Sequence, residues 1–457
     1  MVFFNFRLRR ARAPEVFIEG ALWYNGKAPL AARAMKRGEL SRMKTFAELY
    51  SQAVALALQD DPAALRKALS DYDPYHLDCL LHPEKHALVI RTGECDCSEE
   101  QRALCVSRCP FGAMDLDEKG DIRIDPDKCM GCADCIDGCA GEKLKASTDI
   151  LPALKAVRSS KPLAYALVAP AFLGQFSGNV TPGKLRTALK AVGFDGMIEV
   201  ALFADILTLK EALEFDRNIH TEADYQLTSC CCPMWIAMIR KIYHDLVPHV
   251  PGSVSPMIAC ARTVKTLYPD ALTVFIGPCL AKKAEAREKD LQGAVDYVLT
   301  FSETQSIFEL LGIDPAQMEE SDKDHSSRAG RIYARTGGVS EAVRDTVRRL
   351  SPDRKITVKT RQADGIPACR AMMNDILSGS GGGNFYEGMG CRGGCVGGPR
   401  AVTPAEEGRK AVDAYGDQAL YRTPAENPYV MELLRQLGFD TIEQLLEKDE
   451  IFTRRFE

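Results

Sequence analysis

The chain has no run of about 18 apolar residues, the length a helix needs to cross a bilayer. Its longest apolar stretch, residues 163–174, is short and interrupted by Pro170. No membrane association is expected. An excess of basic charge is also missing: 58 Lys and Arg against 63 Asp and Glu leave a formal charge of −5. No positive field is present to draw in nucleic acid. The N-terminus carries Arg7, Arg9, Arg10 and Arg12 but lacks the apolar core of a secretory signal. Glu15 and Glu19 follow at once and speak against a transit peptide, so a cytoplasmic location is expected. Internal repeats are absent apart from paired cysteine groups.

Cysteine is abundant, at 17 in 457 residues. In a short secreted chain such density reads as a disulfide framework. Here the chain is long, the count is odd, and the cysteines cluster at ligand spacings. Metal in a reducing compartment is the better reading. The length predicts roughly two to four domains.

Residues 1–85 hold a single cysteine, Cys79, and a stretch at 41–69 with Phe46, Leu49, Tyr50, Ala53 and Leu56 at helical spacing. They read as a helical N-terminal extension that packs or docks. Residues 86–150 form the first cysteine block. Residues 151–400 alternate strands and helices, an α/β pattern. Strands are predicted at 163–170, 197–202, 271–277, 297–301, 331–334 and 356–359, several as continuous apolar runs suited to two covered faces. Helices are predicted at 184–192 and 235–246. A glycine-rich run at 379–383 marks a tight or mobile segment. Residues 401–457 read as a helical tail, with helices at 428–437 and 441–448.

Within the first block, Cys129-x2-Cys132-x2-Cys135-x3-Cys139 has bacterial ferredoxin spacing, in which three ligands hold one cubane and the fourth reaches the other. The companion group is Cys95-x-Cys97-x7-Cys105-x3-Cys109, followed by Pro110. By the crossover rule, Cys109, Cys129, Cys132 and Cys135 hold one [4Fe–4S] cluster, and Cys95, Cys97, Cys105 and Cys139 the other. Zinc also takes four thiolates, but two interleaved sets ending in Cys-Pro favour iron–sulfur. Cys95 and Cys97 are unusually close, and one of the two could be free.

Three further stretches carry cysteine outside any plain C-x-x-C pattern: TSCCCPMW (228–235), GPCLAKKAE (277–285) and EGMGCRGGCVGG (387–398). Taken in order, they resemble the signature motifs of [FeFe]-hydrogenases. With the ferredoxin-like block, the resemblance covers roughly residues 86–400. The triple cysteine is similar to the group B branch of that family. Gly277 stands where the main branch has methionine, and Pro251 where it has a relay serine.

The resemblance implies a two-lobed α/β hydrogenase domain joined to an α+β two-cluster ferredoxin-like domain. It implies reversible reduction of protons to H2. The cofactor implied is the H-cluster, a [4Fe–4S] cubane bridged to a diiron unit carrying CO, CN and a dithiolate, besides two further [4Fe–4S] clusters. Anchored on Pro233 and Trp235, the motifs assign Cys232, Cys279, Cys391 and Cys395 as ligands, with Cys395 bridging. Anchored instead on Thr228 and Ser229, they make Cys230 and Cys231 the relay and ligand pair. A single protein bond leaves the diiron unit weakly tethered. Lys282 is positioned by the motif to hydrogen-bond a cyanide, as a charge-assisted donor, and Glu285 to orient that lysine. Met389 matches the methionine that packs on the diiron unit, and Ala169 and Pro170 the segment whose backbone approaches the cyanide. Cys231 takes the place of the terminal proton donor. Glu211 and Glu214, three apart on one helical face, match the relay glutamates; solvated helix glutamates are the plain alternative.

The partners implied are a ferredoxin or flavodoxin electron carrier and the hydrogenase maturation proteins. Two other readings stay open: an H2 or redox sensor on the same cofactor, and a relative of the Nar-type iron–sulfur assembly proteins that lacks the diiron unit.

Overall fold

In a computed structural model the described residues are 46–57, 73–159, 163–228, 231–321, 325–447 and 450–456. Most of the expected N-terminal extension lies outside them, as do Ser229 and Cys230. Within it, helices span Phe46–Ala57 and Pro74–Leu81.

The first cysteine block is small because its strands are short. β1 (Val89–Arg91) pairs antiparallel with β4 (Leu144–Ala146), and β2 (Met114–Leu116) with β3 (Ile122–Ile124). The helix Glu99–Ser107 starts at a capping box in which Ser98 and Gln101 satisfy each other's backbone N–H. Leu88, Val89, Met114, Ile122 and Leu144 form a core into which Leu280, from the larger domain, also packs.

The larger domain is built on two all-parallel sheets. In the first lobe, β5 (Ala164–Val168) and β8 (Leu272–Gly277) lie at the centre, flanked by β6 (Gly196–Glu199) and β9 (Tyr297–Thr300), in the order β6-β5-β8-β9. The apolar run of β5 is buried at every residue, as a central strand covered on both faces requires. In the second lobe, β11 (Phe385–Met389) sits between β10 (Thr360–Asp364) and β7 (Gln226–Leu227). Parallel pairing forces crossover connections, which the helices supply. The helix Ala201–Asn218 is buried around most of its circumference and packs on Pro256–Leu267, Arg328–Arg331 and Gly338–Leu350. A helix buried all round belongs at the centre of a large domain.

Several boundaries differ from expectation. The strand predicted at 197–202 ends at Glu199, because the central helix begins at Ala201. The strand predicted at 331–334 is helical: Asp205 accepts from the N–H groups of Ser327 and Gly330 and so starts the turn Arg328–Arg331, which continues as 3-10 helix over Ile332–Ala334. A short apolar run cannot by itself separate helix from strand. The strand expected at 356–359 begins only at Thr360, since Asn384 takes the Lys359 N–H and the Thr357 carbonyl with its side chain. The helix expected at 235–246 stops at Lys241 and resumes as 3-10 helix over His244–His249.

The last segment is bound to the rest. Gln175 Oε1 accepts from Val402 N–H at 2.7 Å, Arg262 donates to the carbonyls of Glu450 and Thr453, and Phe452 is fully buried. Among the described residues no helix is long and apolar enough to cross a membrane.

Candidate metal centre

Trp235 closes the loop of the first motif: its Nε1 donates to the Thr228 carbonyl at 3.1 Å. Cys231 and Cys232 are both 8% exposed. Cys232 immediately precedes the helix Pro233–Lys241, whose proline suits the first helical position. This turn sits directly on β11. A Cβ on Gly388 would lie 2.0 Å from the Trp235 ring, and one on Gly390 would lie 2.5 Å from Met234 Cβ. Only glycine lets the first and third motifs come so close. The Gly390 N–H donates to Cys232 Sγ at 3.2 Å, and Cys231 Sγ lies 4.0 Å from Met389 Sδ.

The second motif leaves the end of β8. Ala169 N–H donates to the Ile276 carbonyl at 2.9 Å, so the Ala169–Pro170 corner runs beside it. A Cβ on Gly277 would meet the Phe275 ring at 2.7 Å and Ala169 Cβ at 3.2 Å, so a larger residue there would require the Phe275 ring to shift. Cys279 then precedes the helix Ala281–Arg287. Lys282 Nζ donates to Glu285 Oε2 at 2.6 Å, both side chains being buried. Burial pulls the Lys282 pKa down, but the Glu285 carboxylate and the sulfurs of Cys279 and Cys395 outweigh it, so the ammonium is held.

Cys391 and Cys395 follow β11. Between them Gly393 and Gly394 adopt φ of +79° and +86°, the left-handed region open to glycine. Cys232, Cys279, Cys391 and Cys395 are within electrostatic reach of one another. Burial, and then neighbouring sulfurs, push the Cys279 thiol up to about 11 and Cys395 to about 12. Four thiols crowded this way resist ionising side by side. A cationic cluster removes that penalty by binding thiolates outright. The all-sulfur donor set and the amide aimed at Cys232 therefore fit an iron–sulfur cage.

In the first block, Cys109, Cys129, Cys132 and Cys135 line one cavity walled by Val89, Phe111, Met114 and Ile124, and Ala113 N–H donates to Cys109 Sγ at 3.2 Å. Cys95, Cys97, Cys105 and Cys139 form a second group, in which Cys97 and Cys105 are within reach of each other's charge and of that of Cys95 and Cys139. Cys132 also lies within reach of Cys391. Gly131, at φ +69°, lets this loop rest on the backbone of Leu280 and Ala281, 3.2 Å from where a Cβ would stand. Among the described residues no three His, Cys, Asp or Glu side chains converge as the ligands of a single ion.

Glu211 and Glu214 lie on the helix Ala201–Asn218 and are 0% and 4% exposed, so neither is a solvated helix carboxylate. Lys210 Nζ stands 3.3 Å from Glu214 Oε1.

Three buried groups were not foreseen. Glu387, within the third motif, accepts from the N–H groups of Gly337 and Ser340, both at 2.7 Å; its place in that stretch was the available signal. Lys283 reaches Glu303 at 3.0 Å and Asp149 at 3.4 Å. Lys210 is the third. A lone lysine on a helix ordinarily reads as a surface residue, so neither lysine carried a signal.

Fold and site together define an iron–sulfur protein of two parallel-sheet lobes whose cysteine loops meet between them. Residues 163–399 match the family described as iron only hydrogenase large subunit, C-terminal domain. The match spans more than half of the chain, and the chain belongs to that family. It is 28% identical over 287 residues to iron hydrogenase 1 of Clostridium pasteurianum, covering 54% of this chain and 50% of that one. With the NADP-reducing hydrogenase subunit HndD of Solidesulfovibrio fructosivorans it shares 26% over 365 residues, 67% and 62% of the two chains. The chain thus spans about half to under two thirds of the length of these relatives. A weaker likeness, 25% over 270 residues, covering 49% of this chain and 56% of the other, is to Protein NAR1 of Arabidopsis thaliana. In fold it is similar to apo [FeFe]-hydrogenase HydA1 from Chlamydomonas reinhardtii, with a TM-score of 0.57 and 22% identity over 67% of this chain and 98% of that one.

Proposed function

We propose that the chain is an [FeFe]-hydrogenase that reversibly reduces two protons with two electrons to H2. The observation that carries this is the meeting of Cys232, Cys279, Cys391 and Cys395, with the buried Lys282 within reach of Cys279 and Cys395. These cysteines would hold the cubane of an H-cluster, with Cys395 bridging to the diiron unit. When bound, the cofactor supplies the redox centre at which protons and electrons combine.

The chain's own residues do the rest. Lys282, held by Glu285, supplies a fixed positive charge where a cyanide would need a donor. Met389, buried beside Cys231, and the Ala169–Pro170 corner, beside the end of β8, would pack on the diiron unit and keep water from it. Cys231, beside Met389, holds and releases the last proton, and Glu211 and Glu214 pass it inward. Cys95, Cys97, Cys105 and Cys139 would hold one further [4Fe–4S] cluster and Cys109, Cys129, Cys132 and Cys135 a second, and together these would supply a path for electrons. The second adjoins the active-site cysteines through Cys132. The block 86–150 acts as a ferredoxin-like relay, fed by a ferredoxin or flavodoxin in a reducing cytoplasm. Maturation proteins supply the diiron unit.

The likeness to NAR1 favours a second reading, in which the cubanes are present and the diiron unit is not. One experiment separates the two. Protein made without maturation proteins should carry three cubanes, about twelve irons per chain, and produce no H2. After maturation, CO and CN bands should appear in the infrared together with H2 evolution. Full iron without those bands after maturation would establish the second reading.

A further inference from the structure

The central helix buries an ion pair that binding a cofactor does not require. Lys210 and Glu214 stand four residues apart, Nζ to Oε1 3.3 Å, with side chains 4% and 5% exposed. Lys210 donates a second bond to the Leu445 carbonyl at 3.0 Å, in the 3-10 turn Ile442–Leu446 of the C-terminal segment. Leu445 is itself fully buried, and the turn is held by a capping box between Thr441 and Gln444. Glu214 Oε2 is buried with no hydrogen-bond partner.

The pair is not explained as helix support. At this spacing the favourable order places Glu before Lys, and here it is reversed. Nor is it explained as core packing, since a buried ion pair seldom outperforms apolar residues of the same volume.

We infer that Lys210 is a positioning residue of the proton route: its charge sets the proton affinity of Glu214, and the C-terminal segment holds it in place through Leu445. This rests on the proposed relay role of Glu211 and Glu214. A relay carboxylate must both take up and release a proton near the working pH. Burial alone favours the neutral acid, and the adjacent ammonium opposes that. The charges acting on Glu214 are Lys210 and then Arg217, both on its own helix, with Glu211 one turn away. The helices Pro256–Leu267, Gly338–Leu350 and Pro428–Gln436 turn buried faces without charge toward this core. Their one titratable group there is Cys260, whose thiol burial pushes well up. The turn Arg328–Arg331 brings Arg331, which is committed to Ser326 and the Tyr415 carbonyl. The C-terminal turn brings the Leu445 carbonyl.

The test uses the full chain in both its unmatured and matured forms. In unmatured protein, the carboxylic C=O stretch of Glu214 is followed against pH by infrared difference spectroscopy and assigned by its loss in Glu214→Gln. In Lys210→Met the titration midpoint should move up by at least about one pH unit. Lys210→Gln, which keeps a donor for Leu445, should show the same shift, while Lys210→Arg should restore the original midpoint. In matured enzyme, the pH profile of H2 evolution should shift in the same direction. An unshifted C=O midpoint in both neutral variants, with turnover abolished in Glu214→Gln, would overturn the role of Lys210 alone. Undiminished turnover in Glu214→Gln would overturn the relay reading itself.

Discussion

At the scale of single residues, Cys231 and Cys232 are neighbours with different surroundings. Cys232 accepts the Gly390 N–H on its sulfur and faces the other three motif cysteines. Cys231 faces Met389. If Cys231 is the last proton donor, Cys231→Ala should lower H2 turnover at least about a hundredfold while the CO and CN bands and the iron content stay as they are. Cys232→Ala should lose cubane iron. Loss of the cubane in Cys231→Ala would instead place the ligand one position earlier, as anchoring on Thr228 requires. The identity of these residues was legible from motif order. Their burial was not, and neither was the charge around Glu214, because Lys210 meets it only through the turn of a helix and meets Leu445 only across 235 residues of chain.

At the scale of elements, the motifs meet because β11 and β7 are adjacent parallel strands, with Phe385 opposite Gln226 and Tyr386 opposite Leu227. β11 is fixed in turn by Glu387, whose carboxylate caps the helix Gly338–Leu350 through two N–H groups. An amide retains one acceptor oxygen for these two donors. Glu387→Gln should therefore destabilise the fold by about 1–3 kcal/mol, read as a lower denaturation midpoint. An unchanged midpoint would mean that the cap is dispensable. The central strands β5 and β8 were legible as apolar runs. The turn Arg328–Arg331 was not, since what starts it is Asp205, more than a hundred residues earlier in the chain.

At the scale of the molecule, a buried junction ties the cysteine-rich block to the lobe that bears the second motif. Lys283, fully buried, bridges Asp149, at the end of that block, and Glu303, at the start of the helix Phe301–Leu311. Glu303 also accepts from Thr148 Oγ1. Removing the cation leaves two buried carboxylates without it. Lys283→Met should cost about 3–5 kcal/mol in denaturant unfolding, and adding Glu303→Gln should recover part of that loss. A single variant as stable as the parent would dismiss the junction. The family, the grouping of cysteines into sets and the α/β class were determined by the sequence itself. Thiolate ligation and strand burial are local matters of residue type and spacing, and they survive being read along a line. Only the tertiary structure decided which further buried charges face one another: Lys283 with Asp149 and Glu303 at the junction, and Lys210 with Glu214 and the C-terminal turn. Coulomb energy and desolvation depend on distance in space, and on a helix two adjacent lysines such as Lys282 and Lys283 point into different surroundings.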